Sequence, residues 1–87
     1  MEIGQRIKKQ PLNVRDKGSD RTIKIGIVAH ITKHCLTIEY EDNTKESFTI
    51  ADIISPQTFI LKARKGKEWN QIIAPRRAMT MEFLRGD

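Results

Sequence analysis

An 87-residue chain with a single cysteine and no apolar run approaching a membrane span excludes a multidomain protein, a disulfide scaffold and a helical membrane protein. Its 38% apolar and 31% charged residues fit a small folded domain rather than a disordered tail. Sixteen Lys and Arg against eleven acids give a net charge of +5, a balance whose distribution along the chain says more than its total.

The charge is unevenly distributed. Residues 1–34 hold eight basic residues against three acids, residues 35–56 one against five, and residues 57–87 seven against three. The order is basic, acidic, basic. If both ends fold to one side of the acidic segment, the surface acquires a cationic face with a salt-dependent attraction for nucleic acid; otherwise the charges serve solubility and neutralise one another between neighbouring strands. The lone thiol Cys35 and an N-terminus without a signal-peptide core predict a soluble, cytoplasmic protein.

In chain order, Ile3–Lys8 predicts a short opening strand with Ile3 and Ile7 on one face. Residues 9–20 collect Pro, Asn, Asp, Gly and Ser and predict a long loop turning at Lys17–Asp20, tethered through Leu12 and Val14. Next, Arg21–Phe48 alternates apolar and polar residues, the signature of an antiparallel sheet with one buried face. Ile23, Ile25, Ile27, Ala29 and Ile31 are expected to line the buried face of one strand, and Leu36, Ile38 and Tyr40 that of the next. A register that joins these sets pairs Ala29 with Leu36, Ile27 with Ile38, Ile25 with Tyr40 and, outside, Lys24 with Glu41. Gly26 then falls on the outer face, where it permits sharp coiling.

Glu41–Lys45 reads as a turn and Glu46–Ile50 as a returning strand with Phe48 and Ile50 inward. Thr49–Pro56 predicts a strand end passing into a one-turn helix stopped by Pro56. Gln57–Lys62 has β-favouring residues suited to closing the sheet. Beyond it, Trp69, Ile72 and Ile73 have helical spacing that Pro75 interrupts, and Ala78–Leu84 fits either a helix or a strand alternating Met79, Met81 and Phe83. The expected organisation is a β-barrel over 1–62 with a basic loop and packed C-terminal helix or hairpin extension over 63–87, a single domain overall.

The segments Ile3–Ile7, Gly26–Val28, Leu36–Asp42 and Lys45–Ile53 together resemble the small SH3-like barrels of the KOW and Tudor type. The resemblance implies a mainly β fold, an antiparallel barrel of about five strands with a short helical turn, and a binding module for RNA, DNA or protein segments. The chain is also similar in look to small proteins of bacterial mobile elements and phages. Tudor-type readers of methylated side chains use an aromatic cage, whereas two of the five aromatics here, Phe48 and Phe59, read as core.

Chemistry-bearing constellations are sparse. His30, His34 and Cys35 have the types but not the spacing for zinc, since four residues along a strand span about 13 Å. Ser19, Ser47 and Ser55 lack a nucleophile-elbow context, and Glu39, Glu41, Asp42 and Glu46 sit where solvent keeps carboxylates ordinary. No enzyme, cofactor or metal site is expected. The candidate binding residues are Lys62, Arg64, Lys65 and Lys67 around Gly66, then Trp69, Arg76 and Arg77, with Lys8, Lys9 and Arg15 joining from the first strand and its loop, and Arg6 and Arg21 extending them. Basic side chains hold phosphates without reading sequence, and an aromatic stacks on an unpaired base; Trp69 either stacks in this way or caps the apolar end of the barrel. The first reading is a weakly selective nucleic-acid binder, monomeric or weakly dimeric. The alternative is a protein-interaction module that regulates a larger cytosolic complex through the acidic hairpin Glu39–Glu46 or the tail Met79–Leu84, with exposure of Met79, Met81 and Phe83 as its mark.

Overall fold

The computed structural model describes residues 1–12 and 23–85. The expectations for Val14, Arg15, Arg21 and the Lys17–Asp20 turn lie outside the described residues. Six antiparallel strands form one sheet: β1 (Arg6–Pro11), β2 (Lys24–Ile31), β3 (Cys35–Tyr40), β4 (Lys45–Thr49), β5 (Phe59–Lys65) and β6 (Glu68–Gln71), in the order β4-β3-β2-β1-β5-β6. A short helix α1 (Ile50–Ile54) joins β4 to β5, and a 3-10 helix (Met81–Arg85) ends the described chain.

The fold is mainly β, as the alternation predicts, but the pairing is that of an open sheet rather than a closed barrel. β5 returns to β1, and a tight turn at Gly66, with φ of 64° in the region glycine tolerates best, adds β6 beyond it. No ladder joins β4 to β5 or β6 among the described residues. The sheet nevertheless curls strongly. Phe48 of β4 and Phe59 of β5 lie on strands four positions apart, about 19 Å in a flat sheet, yet their rings meet edge to face at 5.3 Å between centroids. The sheet therefore has a concave inner face and a convex outer one.

The inner face holds Ile7, Val28, Leu36, Ile38, Tyr40, Phe48 and Leu61, and is closed by Ile53 of α1, Ile72, Met81 and Leu84. Leu36, Ile38 and Tyr40 point inward as expected. α1 forms because Thr49 caps it: its hydroxyl accepts from the Asp52 amide while the Asp52 carboxylate accepts from the Thr49 amide, a reciprocal capping box. Ser55 and Pro56 end it, as the sequence predicts.

The register of β2 is the main correction. Val28 faces Ile38 and Gly26 faces Tyr40, so Val28 is fully buried while Ile23, Ile25 and Ile27 are 52%, 39% and 41% exposed. The pairings expected for Ile25, Ile27 and Ala29 do not form, and neither does the Lys24–Glu41 pair; the Lys24 ammonium lies 5.2 Å from the centroid of the Tyr40 ring instead. A bulge between Val28 and His30 then shifts the phase, so that Ile31 faces Leu36 and packs against the core. The cause is space. A Cβ on Gly26 would collide with the Glu39 carbonyl oxygen and lie 2.8 Å from Ile38 Cγ2, so the tightly coiled inner face has no room for a side chain there.

Smaller differences concern the ends. β1 starts at Arg6 and continues through Lys9–Pro11, leaving Ile3 outside it and exposed. Leu12 donates its amide to the Thr58 carbonyl but leaves its side chain exposed. Ile50 is helical and half-buried. Trp69 lies in a strand, and the tail ends in a 3-10 turn rather than an α-helix. That turn is anchored by the Met81 amide, which donates to the Lys33 carbonyl, and by the N-terminal ammonium on the Leu84 carbonyl.

One polar group lies at the rim of the concave side. Lys9, on the inner face, donates to both oxygens of Glu46 at 3.1 and 3.2 Å, and the Tyr40 hydroxyl donates to Glu46 at 2.7 Å. Burial first, then the hydrogen bond to Glu46 and its charge, push the Tyr40 phenol well above its ordinary value. A raised folded-state value means that the stabilisation is complete below about pH 10, where an unfolded tyrosine begins to ionise, and is lost as pH rises beyond it. Since Tyr40 is the only tyrosine, its phenolate absorbance is expected to appear together with alkaline unfolding rather than near pH 10. Denaturant melts should show stability falling above pH 10 in the native chain and less steeply in Tyr40→Phe.

Candidate nucleic-acid interface

Residues paired directly across antiparallel strands share a face, so the ladders determine what the convex side displays. One row runs Lys45, Glu39, Ile27, Arg6 across β4, β3, β2 and β1; the next runs Ile25, Lys8, Lys62, Gln71 across β2, β1, β5 and β6. Arg64 and Trp69, paired to each other, lie on this same face one step from Lys62 and Gln71. The Lys8 ammonium sits 4.8 Å from the centroid of the Trp69 indole and the Arg64 guanidinium carbon 5.8 Å from it. Trp69 is half-buried and outside the core, with both cations at distances where the ring quadrupole attracts them.

Of the candidate residues, Lys8, Lys62, Arg64 and Trp69 are thus brought together, with Arg6 two residues from Lys8 on the same face of β1. Arg6 and Arg64 also flank a shallow cleft with Gln5 and Gly66. The Gln5 side-chain amide donates to the Arg64 carbonyl at 3.0 Å, and the Arg64 Nε donates to the Gly66 carbonyl at 3.1 Å, fixing how β5 and its turn meet the start of β1.

The other candidates are placed elsewhere. Lys9 alternates to the concave side, where Glu46 neutralises it. Lys65 faces Glu68 across the hairpin and alternates away from Arg64, while Lys67 is exposed in the turn. Arg76 and Arg77 are exposed in a separate turn closed by the Ala78 amide on the Pro75 carbonyl. Arg15 lies outside the described residues.

Two features of this face escape the sequence reading: the exposed isoleucines of β2, and the nearness of Glu39 to Arg6 across Ile27. The signal that could have found both is Gly26, a glycine inside a β-branched run, which marks a place where another backbone approaches closely.

Lys8 and Lys62 stand directly opposite each other. Like charges so placed are destabilising, and among the described residues the only ion pair within 4 Å is that of Lys9 with Glu46. The remaining polar groups are ordinary hairpin chemistry. Thr44 donates its hydroxyl and its amide to Asp42, which together hold that exposed carboxyl below its usual range. His30 faces Thr37 and Cys35 faces Thr49, so the turn at Lys33-His34 does not converge the three ligand types. No group of three His, Cys, Asp or Glu side chains within metal-binding reach occurs among the described residues, and no helix there is long and apolar enough to cross a membrane. Comparison with family models, with curated proteins and with solved structures finds no match for this chain.

Proposed function

We propose that this chain is a non-enzymatic, cytoplasmic nucleic-acid-binding module that lays a single strand across the convex face of its sheet. The observation that carries the reading is the like-charged Lys8–Lys62 pair beside Trp69. It costs the isolated fold stability that a bound phosphate returns, and it puts an aromatic ring within reach of the adjacent base. Arg6 and Arg64, two residues from Lys8 and Lys62 toward the same end of β1 and β5, extend the positive track in that direction. Long cationic side chains on strands contact phosphates of any sequence, and an indole accepts any base on its face. The likeness to SH3-like barrels of the KOW and Tudor type belongs to the same proposal. Its support is the return of β5 to β1 after a one-turn helix and the strong curl of the sheet.

The second reading, a protein-interaction module, is favoured by Ile73 and Met79, 74% and 83% exposed. The version that needs Met79, Met81 and Phe83 all presented to a partner does not fit, because Met81 is buried in the core and Phe83 packs against it. Since Trp69 is the only tryptophan, its emission reports the proposed site directly. Titration with a short oligouridine is expected to quench it saturably, with micromolar or tighter affinity at low salt. A protein partner elsewhere on the chain would leave the emission insensitive to the oligonucleotide.

A further inference from the structure

Between the cationic half of the convex face and the acidic hairpin lies a groove of about 230 Å³, lined by Arg6, Ile25, Ile27, Glu39, Glu41 and Asn43. Its two walls carry opposite charge. Arg6 and Glu39 both pair with Ile27, one from β1 and the other from β3, so their backbones stand about 10 Å apart with isoleucine between them. The floor is apolar and accessible, since Ile25 and Ile27 are the exposed side chains of a central strand. An apolar floor of this width with a guanidinium at one side and a carboxylate at the other suits a flat, polar, uncharged ring that presents acceptors on one edge and donors on the next.

We propose that this groove is a guanine-base site, a reading that rests on the nucleic-acid function proposed above and adds base selectivity to it. A carboxylate offers two oxygens in one plane and no donor. Guanine alone among the common bases has two adjacent N–H donors on its pairing edge, N1–H and N2–H, to meet them. Cytosine and adenine place an acceptor beside their amino group, and uracil flanks its single N–H with two carbonyls, so one carboxylate oxygen meets a lone pair in each. On the adjoining edge guanine presents O6 and N7, the acceptor pair that an arginine fork matches. Glu39 therefore accepts from N1–H and N2–H, Arg6 donates toward O6 and N7, and Ile25 and Ile27 support the ring. Glu41 adds negative potential on the donor side. Phosphates flanking the base run toward Lys8 and Lys62, in the row next to Arg6.

The test compares fluorescein-labelled single-stranded RNAs of about twelve nucleotides, uniform uridine or the same with one central G, A or C, measured by anisotropy at fixed salt. One G is expected to tighten binding about 10-fold over uniform uridine, with A and C giving much less. In Glu39→Gln that ratio should fall to near one, and a thermal melt of the variant checks its folding. Competition by guanosine monophosphate against the other three monophosphates repeats the comparison on the unaltered chain. Equal, salt-dependent binding of all four RNAs overturns the guanine site and leaves the phosphate reading standing; tighter binding of the A or C oligomer overturns it too. Binding of none overturns both.

Discussion

Gly26→Val is expected to destabilise the protein by about 3 kcal/mol or more, and Gly26→Ala by about 1–3 kcal/mol, because even one added carbon meets the Glu39 carbonyl oxygen and the Ile38 side chain. In a domain of this size that corresponds to a melting point lower by roughly 12–24 °C for the valine variant. The sign is what makes the measurement informative. In the register suggested by counting isoleucines, Gly26 faces solvent in mid-strand. There a β-branched residue would raise stability by up to about 1 kcal/mol, through higher strand propensity and lower unfolded-state entropy. Thermal and denaturant melts separate the two registers without ambiguity. Ile27→Thr on the exposed face serves as the comparison and is expected to change stability by less than about 1 kcal/mol, against roughly 2 kcal/mol for Val28→Ala in the core.

Reversing the charge of Lys8, Lys62 and Arg64 together is expected to weaken single-strand binding by two orders of magnitude or more at low salt. It should also flatten the dependence of log affinity on log salt by about 2, as three single-strand phosphate contacts require. The same reversal at Arg76 and Arg77 removes similar charge from a different part of the surface and should cost less than about tenfold. Lys62→Glu alone distinguishes function from stability. It replaces a like-charge pair with Lys8 by an opposite-charge one, so the fold gains about 0.2–1 kcal/mol while binding weakens. A residue retained only for solubility would show no such opposition. If the triple variant binds as tightly as the unaltered chain, the convex face is not the site.

How far the sequence discloses this arrangement depends on which interactions decide each element. β3, the capped helix and the turn before Lys45 are set by local signals: alternation of Leu36, Ile38 and Tyr40, the Thr49–Asp52 capping box, and Asp42, Asn43 and Thr44 in the turn. Each is legible within a few residues. β2 is not, because two faces compete for the interior. The isoleucines offer more apolar area, but Gly26 must face inward between Ile7 and Tyr40, with which it pairs on either side. Crowding by partners distant in sequence outweighs the apolar count, and the bulge at Ala29 restores the expected inward direction only by Ile31.

The binding residues divide in the same way. Lys62, Arg64 and Trp69 come together because a hairpin joins them locally, and Lys8 joins because β5 returns to β1. Lys9 sits beside Lys8 in sequence yet points to the other side, a consequence of period two that composition cannot show. Lys65 leaves the face for the same reason.

The most direct test of the central claim is the emission of Trp69 titrated with a short oligouridine at salt concentrations from about 50 to 200 mM. Saturable quenching is expected, with a midpoint that shifts by roughly 20–50-fold over that interval, as three to four phosphate contacts require. Emission unchanged by the oligonucleotide at the lowest salt would contradict it, and so would quenching indifferent to salt.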